Sequence, residues 1–320
     1  MATLLLEEDV RRLLTMDEAL VAVEDTFRAW ARGEAVNVPR QRGALPGVTM
    51  NTLCSISTAL DVTGVKCYPI VRQDVTVGSS FTMLVYRIST GALIGVLEAN
   101  GLGQIRTGAA SGVATKYMAR PDSRVMTMFG AGWQAESQLE AIARVLPKLD
   151  RVNVLGRSPE RVRRFCDVMK PRVNLELIIG RDPEQAVMEA DVITTITGSL
   201  EPVFDGRWLR PGVHINAAGS NFANKRELDS TAVSRANRIV VDDLALARIE
   251  SGDLLRAEGM QWDAVQALCD VVGGKVPGRA AADEITLFES HGLGLEDLAV
   301  AARVLDLAHA QKIGMEIPIR

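Results

Sequence analysis

The stretch Val125–Ala141, VMTMFGAGWQAESQLEA, decides the fold of the chain. Its first five residues form a short apolar run that predicts a buried strand, and Gly130 and Gly132 follow at once. Gln134–Val145 then carries apolar residues at helical spacing. A strand, a glycine loop and a helix in this order form the first half of a dinucleotide-binding unit.

Each small residue of this loop has a physical role in such a unit. Gly130 permits the tight turn, and Gly132 lets the backbone approach a pyrophosphate because it has no Cβ. Ala135, in the third position, lets the helix lie close to the strand. The helix N-terminus, with Trp133 and Gln134, offers N–H groups and a positive dipole end to the phosphates.

A G-x-G-x-x-A loop alone also describes an ordinary glycine turn, so the neighbouring elements decide. Further strands are predicted at Arg151–Leu155, Leu175–Ile179, Val192–Ile196, His214–Ala217, Arg238–Val241 and Thr286–Glu289, with helices at Pro159–Met169 and Pro183–Ala190. This alternation predicts an α/β fold with a Rossmann doubly wound parallel sheet.

The composition excludes several classes of protein. The 320 residues, 47% hydrophobic and 24% charged, predict a soluble globular chain of two domains. A net charge of −4 gives no case for nucleic acid, and no apolar stretch is long enough to cross a membrane. Four scattered cysteines, with no secretory signal and no metal-ligand spacing, indicate a cytoplasmic protein with reduced thiols.

The segments on either side of the nucleotide unit differ from it. Val36–Leu97 is β-rich, with strands expected at Val62–Ile70, Phe81–Ile88 and Ala92–Leu97. Gly103–Arg120 is a helix of small residues that can pack closely, which does not explain Arg106 near its start. Leu295–Ile313 is an amphipathic helix, and the tail Met315–Arg320 is expected to return to the first domain.

The end of the second predicted strand bears on the choice of nucleotide. Asp150 lies at the usual distance from the glycines but precedes that strand, so it faces the wrong end. Arg157 and Ser158 follow the strand and suit a 2′-phosphate, with no carboxylate to repel it. The sequence favours NADP(H), and NAD(H) remains the alternative because an exposed loop arginine is common.

Taken together, these features resemble the ornithine cyclodeaminase/mu-crystallin family. The motifs that carry the resemblance are GVKCYP around Lys66, GQIRTGAAS around Arg106 and Thr107, the loop Gly130–Ala135, TITGSLEP from Thr195 to Pro202, Glu227-Leu228-Asp229, and SHGLGLED from Ser290 to Asp297. The family includes ornithine and lysine cyclodeaminases, an archaeal alanine dehydrogenase, and ketimine or pyrroline-2-carboxylate reductases.

The resemblance implies a homodimer and a two-domain chain. Residues 1–118 and 300–320 would form an α+β substrate-binding and dimerisation domain, built from the N-terminal segment and the C-terminal helix. Residues 119–299 would form the NAD(P)-binding Rossmann domain. Besides the loop and Arg157 with Ser158, the implied nucleotide contacts are Thr107, Thr195, Thr197, Ala218 and Asn221.

The resemblance also implies that Arg42, Lys66 and Arg106 grip the substrate carboxylate. Three cations on one anion would orient the α-carbon toward the nicotinamide. Arg40 is easily confused with Arg42, which is preferred only for its spacing to Lys66. Hairpin-free loops at Arg42–Met50 and Val75–Phe81 would shape the side-chain pocket.

Two departures from the family pattern bear on the reaction. Cyclodeaminases of the family carry an Asp in a G-x-D setting where this chain has Asn221, which cannot take up a proton near neutral pH. His291 replaces an apolar residue, and it is either an acid beside the nicotinamide or a packed, substrate-shaping side chain.

The sequence therefore predicts a nicotinamide-dependent oxidoreductase of an α-imino, α-amino or α-keto acid. Ketimine or pyrroline-2-carboxylate reduction is the first hypothesis, and amino-acid dehydrogenation is its reverse. Two alternatives remain: an ornithine or related diamino-acid cyclodeaminase, and a nucleotide-binding, non-enzymatic crystallin-like protein. No nucleic acid or membrane partner is expected.

Overall fold

The computed structural model describes residues 1–71 and 80–319. The chain divides into two units, which we call the split unit, Met1–Arg106 with Leu293–Arg320, and the continuous unit, Thr107–Gly292. Each unit is built around its own β-sheet.

The elements follow one another along the chain with short connections. They are β1 (Ala2–Leu5), α1 (Glu7–Leu13), α2 (Met16–Ala31), β2 (Ala35–Asn37), β3 (Gln41–Leu45), β4 (Val48–Ser57), β5 (Val62–Val71), β6 (Thr82–Arg87), β7 (Leu93–Glu98), α3 (Asn100–Met118), β8 (Val125–Phe129), α4 (Trp133–Val145), β9 (Arg151–Leu155), α5 (Pro159–Met169), β10 (Glu176–Ile179), α6 (Pro183–Glu189), β11 (Val192–Thr195), β12 (His214–Ala217), α7 (Ser230–Arg235), β13 (Arg238–Val241), α8 (Leu244–Glu250), α9 (Gly252–Leu255), β14 (Gln266–Ala267), α10 (Leu268–Val272), β15 (Thr286–Glu289), α11 (Gly294–Gln311) and β16 (Met315–Ile317), with 3-10 turns at Gly206–Trp208 and Trp262–Ala264.

The sheet of the split unit has the order β16-β1-β7-β6-β5-β4-β2, with β3 paired to β4. Its pairs are antiparallel except for β1 with β7. The tail returns to this sheet, as predicted, because β16 pairs with β1 and places Met315 opposite Leu4.

Two hydrogen bonds fix the start of α11 to this sheet. The hydroxyl of Ser55 on β4 donates to the Gly294 carbonyl at 3.0 Å, and the Leu295 N–H donates to Asn37 on β2 at 3.3 Å. The first turn of α11, including Glu296 and Asp297, is thereby held at a defined place on the split unit.

The predicted loop Arg42–Met50 is instead a hairpin. β3 and β4 pair from Gln41 opposite Thr52 to Leu45 opposite Val48. Gly47 has a φ of 83°, which suits the tight turn that joins the two strands. The other predicted loop, Val75–Phe81, lies outside the described residues except for its last two positions.

The sheet of the continuous unit has the order β10-β9-β8-β11-β12-β15-β13-β14 and is parallel throughout. The predicted doubly wound parallel sheet is confirmed, and five of its strands have the predicted bounds. β14 escapes prediction because two residues carry no periodic pattern.

The cuts between the units differ from the predicted domain boundaries at 118/119 and 299/300. The first cut falls inside α3, whose later turns pack on α4: the side-chain amide of Gln138 donates to the Thr107 carbonyl at 3.1 Å. A Cβ added at Gly108 would lie 2.2 Å from the Ser137 carbonyl oxygen, so the small residues of α3 do allow the predicted close packing. The second cut comes earlier than predicted because α11 lies on the split sheet from its first turn.

Among the described residues, no helix is both long enough and apolar enough to cross a membrane.

Candidate functional site

A cavity of about 570 Å³ opens at the carboxyl ends of β8, β9 and β11. β8 lies between β9 and β11 in the sheet, so the strand order reverses direction at this place. Doubly wound sheets bind their ligands at such a switch point. The lining includes Gly130, Gly132, Arg157, Ser158 and Thr197 from the predicted nucleotide contacts.

The glycine loop has the geometry that the sequence predicts. Gly130 has a φ of 118°, and a Cβ there would lie 2.3 Å from the Ile196 carbonyl oxygen. A Cβ added at Gly132 would meet nothing within 4 Å, so the cavity is open where a pyrophosphate would approach. Gly132 is the N-cap of α4, Trp133 and Gln134 form its first turn, and Ala135 is fully buried.

Arginines dominate the cavity wall beyond β9. Arg157, Arg161 and Arg181 all line it and are exposed. The last two were missed by sequence reasoning, although Arg161 lies in the first turn after the N-cap Ser158 and could have been found there. Asp150 precedes β9, and its carboxylate accepts from Arg124 at 3.0 Å, away from the cavity, as expected.

One carboxylate does stand beside the predicted 2′-phosphate position. The Ser158 hydroxyl donates to Glu160 at 2.9 Å and accepts from the Arg161 N–H at 3.3 Å. The expectation that no acid follows β9 is therefore wrong, because the first turn of α5 brings Glu160 back to Ser158. Glu160 is not among the residues that line the cavity.

The remaining predicted nucleotide contacts cluster around the ends of β11 and β12. The Thr195 hydroxyl and the Thr197 N–H both donate to Glu227, at 3.0 and 2.6 Å. The Ala218 N–H donates to the Thr195 carbonyl at 2.9 Å, and Asn221 is half-buried in the segment after β12. Thr107 is buried near the start of the continuous unit.

His291 follows β15 and is buried against Asp242. Its Nδ1 lies 3.0 Å from an Asp242 oxygen, and the N–H groups of His291 and Gly292 donate to the other oxygen at 2.6 and 2.8 Å. Burial opposes the charge of Asp242, but His291 and these N–H groups lower its pKa below the ordinary value. An ionised Asp242 fixes the proton of His291 on Nδ1, and Nε2 lies 3.9 Å from Glu289.

Two of the predicted cations meet in the split unit, where two acids hold them. Lys66 on β5 pairs with Asp297, and Arg106 donates to Asp297 at 2.8 Å and to Glu296 at 2.9 Å. The side chains of Lys66 and Arg106 are 3% and 8% exposed, and both acids are fully buried. Glu296 and Asp297 lie in the first turn of α11, where negative charge is favoured.

The third predicted cation is placed differently. Arg42 donates from Nε to the Asn51 side chain at 3.2 Å, across the β3–β4 pair. Arg40 is buried, and its positive charge contributes to the lowered pKa of Lys66. The structure therefore favours Arg40 as the neighbour of Lys66.

The surroundings of Lys66 weaken its hold on its proton. Burial lowers the pKa of Lys66 to about 8, with Asp297 opposing and Arg106 and Arg40 adding to the shift. The ammonium lies 5.9 Å from the ring centre of Tyr68 and 6.0 Å from that of Phe81. For Arg106, burial also opposes the charge, but Asp297 and Glu296 raise its pKa above the ordinary value.

Comparison with known proteins gives close matches over the whole chain. The Delta(1)-pyrroline-2-carboxylate reductase of Bacillus cereus is 34% identical over 318 residues, which cover 96% of this chain and 97% of the relative. The solved structure of the Thermococcus litoralis Delta(1)-pyrroline-2-carboxylate reductase, in complex with NADH and L-proline, has a TM-score of 0.92 at 30% identity. It covers 98% of this chain and 100% of its own.

An archaeal alanine dehydrogenase dimer with bound NAD matches equally well, with a TM-score of 0.93 at 31% identity. The match covers 100% of this chain and 99% of that chain. The model of the ornithine cyclodeaminase/mu-crystallin family matches residues 1–312. The resemblance that the sequence motifs indicate is thus confirmed, and the chain belongs to the ornithine cyclodeaminase/mu-crystallin family.

Proposed function

We propose that the protein reduces the imines of α-keto acids with NADPH, with cyclic ketimines as the first substrates to consider. The broader class, a nicotinamide-dependent oxidoreductase acting on C=N or CH–NH bonds, is confirmed by the reductases and dehydrogenases among its relatives. The bound nicotinamide supplies a hydride to the imine carbon, and one proton ends on the nitrogen, which gives the amine and the oxidised nucleotide.

The observation that carries the proposal is the charge of the cluster formed by Lys66, Arg106, Arg40, Glu296 and Asp297. Three cations face two carboxylates, which leaves these five groups one positive charge in excess. A buried excess charge is costly unless it is neutralised. A single substrate carboxylate neutralises it, and charge-assisted hydrogen bonds from planar guanidinium groups orient that carboxylate.

Lys66 also suits the proton that the reaction needs. With a pKa of about 8 it is protonated at neutral pH and can still give its proton away. An imine reacts with hydride as its protonated form, because the positive nitrogen makes the carbon electrophilic. His291 and an ordered water remain the other donors, and the Nδ1 proton of His291 is held by Asp242.

Cyclodeamination is the less favoured alternative. It needs a base that accepts the amine proton, and the position of the family's Asp holds Asn221. The two reactions differ in their use of nucleotide, because cyclodeamination returns the hydride and consumes no NADPH.

The experiment follows NADPH absorbance while the purified protein is given pyrroline-2-carboxylate, or α-keto acids with ammonia or small amines. Steady consumption with formation of the matching amino acid supports the proposal. Conversion of ornithine to proline without added imine and without net loss of NADPH would contradict it, and an inert, nucleotide-bound protein would favour the crystallin-like alternative.

The preference for NADPH rests on Arg157, Arg161 and Arg181 around the end of β9. We expect Arg157→Ala to weaken NADPH binding by roughly tenfold to a hundredfold, the value of one charge-assisted hydrogen bond. NADH has no 2′-phosphate, so its binding should change by less than about twofold. Fluorescence titration of both nucleotides measures the difference.

Arg163→Ala is the matched control, since Arg163 is exposed on the same helix and does not line the cavity. Equal losses for NADPH and NADH in Arg157→Ala, or tighter binding of NADH by the native protein, would contradict the preference.

We assign a homodimer on the basis of the exposed apolar side chains of the split sheet. Leu45 and Val48 at the β3–β4 turn are 74% and 39% exposed, and Met50 and Val71 nearby are each 43% exposed. Contiguous exposed apolar surface of this kind marks interaction sites. A mass in solution of 34.6 kDa, that of one chain, at micromolar concentration would contradict the assignment.

A further inference from the structure

Glu227 joins the carboxyl ends of two adjacent strands. Its Oε1 accepts the Thr197 N–H at 2.6 Å, and its Oε2 accepts the Thr195 hydroxyl at 3.0 Å and the Gly219 N–H at 2.9 Å. Thr195 ends β11 and Gly219 follows β12. Since the side chain is fully buried, these hydrogen bonds are made without competition from water.

The joined segments approach each other as closely as their backbones allow. A Cβ added at Gly219 would lie 2.4 Å from the Thr197 nitrogen and 2.4 Å from Glu227. Thr197 in turn follows Ile196, on whose carbonyl the turn at Gly130 rests. A shift of the Glu227 carboxylate is therefore passed on to the glycine loop and to the cavity wall, which includes Thr197.

Asp253 fixes the backbone from which Glu227 projects. Its Oδ1 accepts the N–H groups of Glu227 and Leu228 at 2.7 and 2.8 Å, and it is buried. The carboxylate of Glu227 is thus held from its own side as well as by the two segments that it joins.

We propose that the ionised carboxylate of Glu227 is a positioning residue for the nicotinamide nucleotide, and that nucleotide binding therefore releases a proton near neutral pH. The proposal rests on the nicotinamide-dependent function proposed above. The carboxylate holds the segments after β11 and β12 in the arrangement that accepts the nucleotide, and it does not itself touch the reacting atoms.

Protonation of Glu227 undoes the arrangement because of the chemistry of its partners. Two of the three donors are backbone N–H groups, which cannot accept a proton in return. A protonated Glu227 therefore sets its hydroxyl against the N–H of Thr197 or Gly219, and only the Thr195 hydroxyl can reverse its role.

The protonation falls in the physiological range. Burial raises the pKa of Glu227 to about 7, although its hydrogen bonds to Thr197 and Thr195 lower it, and the charge of Asp253 adds to the rise. Glu289, on β15, is the other acid whose charge interacts with Glu227. The binding-competent, ionised form is lost as pH falls through about 7, so affinity falls in the same direction.

The test is calorimetry of NAD⁺ binding to the full chain at about pH 6 and about pH 8, in two buffers of different ionisation enthalpy. NAD⁺ is chosen because none of its groups titrates in this range. For the native protein we expect about tenfold weaker binding at the lower pH, the ratio of the ionised fractions, with proton release near pH 7.

Glu227→Gln should bind NAD⁺ about tenfold or more weakly at the higher pH, with no pH dependence and no proton release. Thr195→Val removes a hydrogen bond that lowers the pKa of Glu227, so the loss of affinity should begin at higher pH. This second variant keeps the test decisive should Glu227→Gln fail to fold. Glu201→Gln, an exposed acid on the segment after β11, should behave as the native protein.

Native binding that is tight and independent of pH, or unaltered proton release in Glu227→Gln, would overturn the positioning role alone. A native protein that binds no nicotinamide nucleotide would overturn the proposed function together with it.

Discussion

The two units build their candidate sites from different materials. In the continuous unit, the cavity wall begins with backbone groups and small residues of one stretch, from Gly130 to Ala135. In the split unit, side chains from β5, α3 and α11 form the charge cluster around Lys66. The first site is written in local sequence, whereas the second exists only when segments far apart in the chain are brought together.

This difference predicts how each site fails when it is altered. A backbone site depends on space and on the direction of N–H groups, so single side-chain changes weaken nucleotide binding by degrees. A buried charge cluster depends on pairing, so the loss of one member leaves the others uncompensated. We therefore expect the largest losses of turnover from the split unit, with nucleotide binding nearly unchanged.

Lys66→Met is expected to give the largest effect. It removes a cation that binds the substrate acid and the group proposed to give the proton, which together are worth roughly a hundredfold to ten-thousandfold in kcat/KM. NADPH binding should stay within about twofold of the native value, and steady-state kinetics with fluorescence titration measures both. Turnover that survives in Lys66→Met would show that the cation cluster is not the carboxylate site.

Arg40 and Arg42 offer the next comparison, since the sequence favours Arg42 and the structure favours Arg40. We expect Arg40→Met to raise the KM for the imino acid by roughly tenfold to a hundredfold, the loss of one charged hydrogen bond. Arg42→Met should change it less than about threefold, because Arg42 holds Asn51. The two variants serve as matched controls, and the reverse order of effects would restore the sequence-based choice.

The contrast also explains what the sequence could predict. β8, β9, β12, β13 and β15 have the predicted bounds because buried parallel strands are continuous apolar runs between turn residues. The glycine loop was readable because its function requires small residues at fixed spacing. The two further arginines of the cavity were not, since Arg181 follows β10 and reaches the site only through the strand order.

The charge cluster of the split unit lay beyond sequence reasoning for a physical reason. Arg106 and its partner Asp297 are 191 residues apart, and no periodicity links two such positions. The resemblance pointed to Lys66 and Arg106 as cations for a substrate, and the motif that ends at Asp297 was quoted without a role. Only the place of α11 on the split sheet shows that these cations are paired with acids.

Asp297→Asn gives the smallest but sharpest effect. Asp297 raises the pKa of Lys66, through its charge and its hydrogen bond, against the lowering by burial. Without that charge Lys66 loses its proton at lower pH, so the alkaline fall of kcat/KM, expected near pH 8 in the native protein, moves down by about one pH unit. Asp306→Asn, exposed on the same helix, is the control and should leave the fall in place. Titration of the imine is common to all three proteins and cancels in the comparison, so an unmoved alkaline limb in Asp297→Asn would mean that Lys66 is not the titrating group.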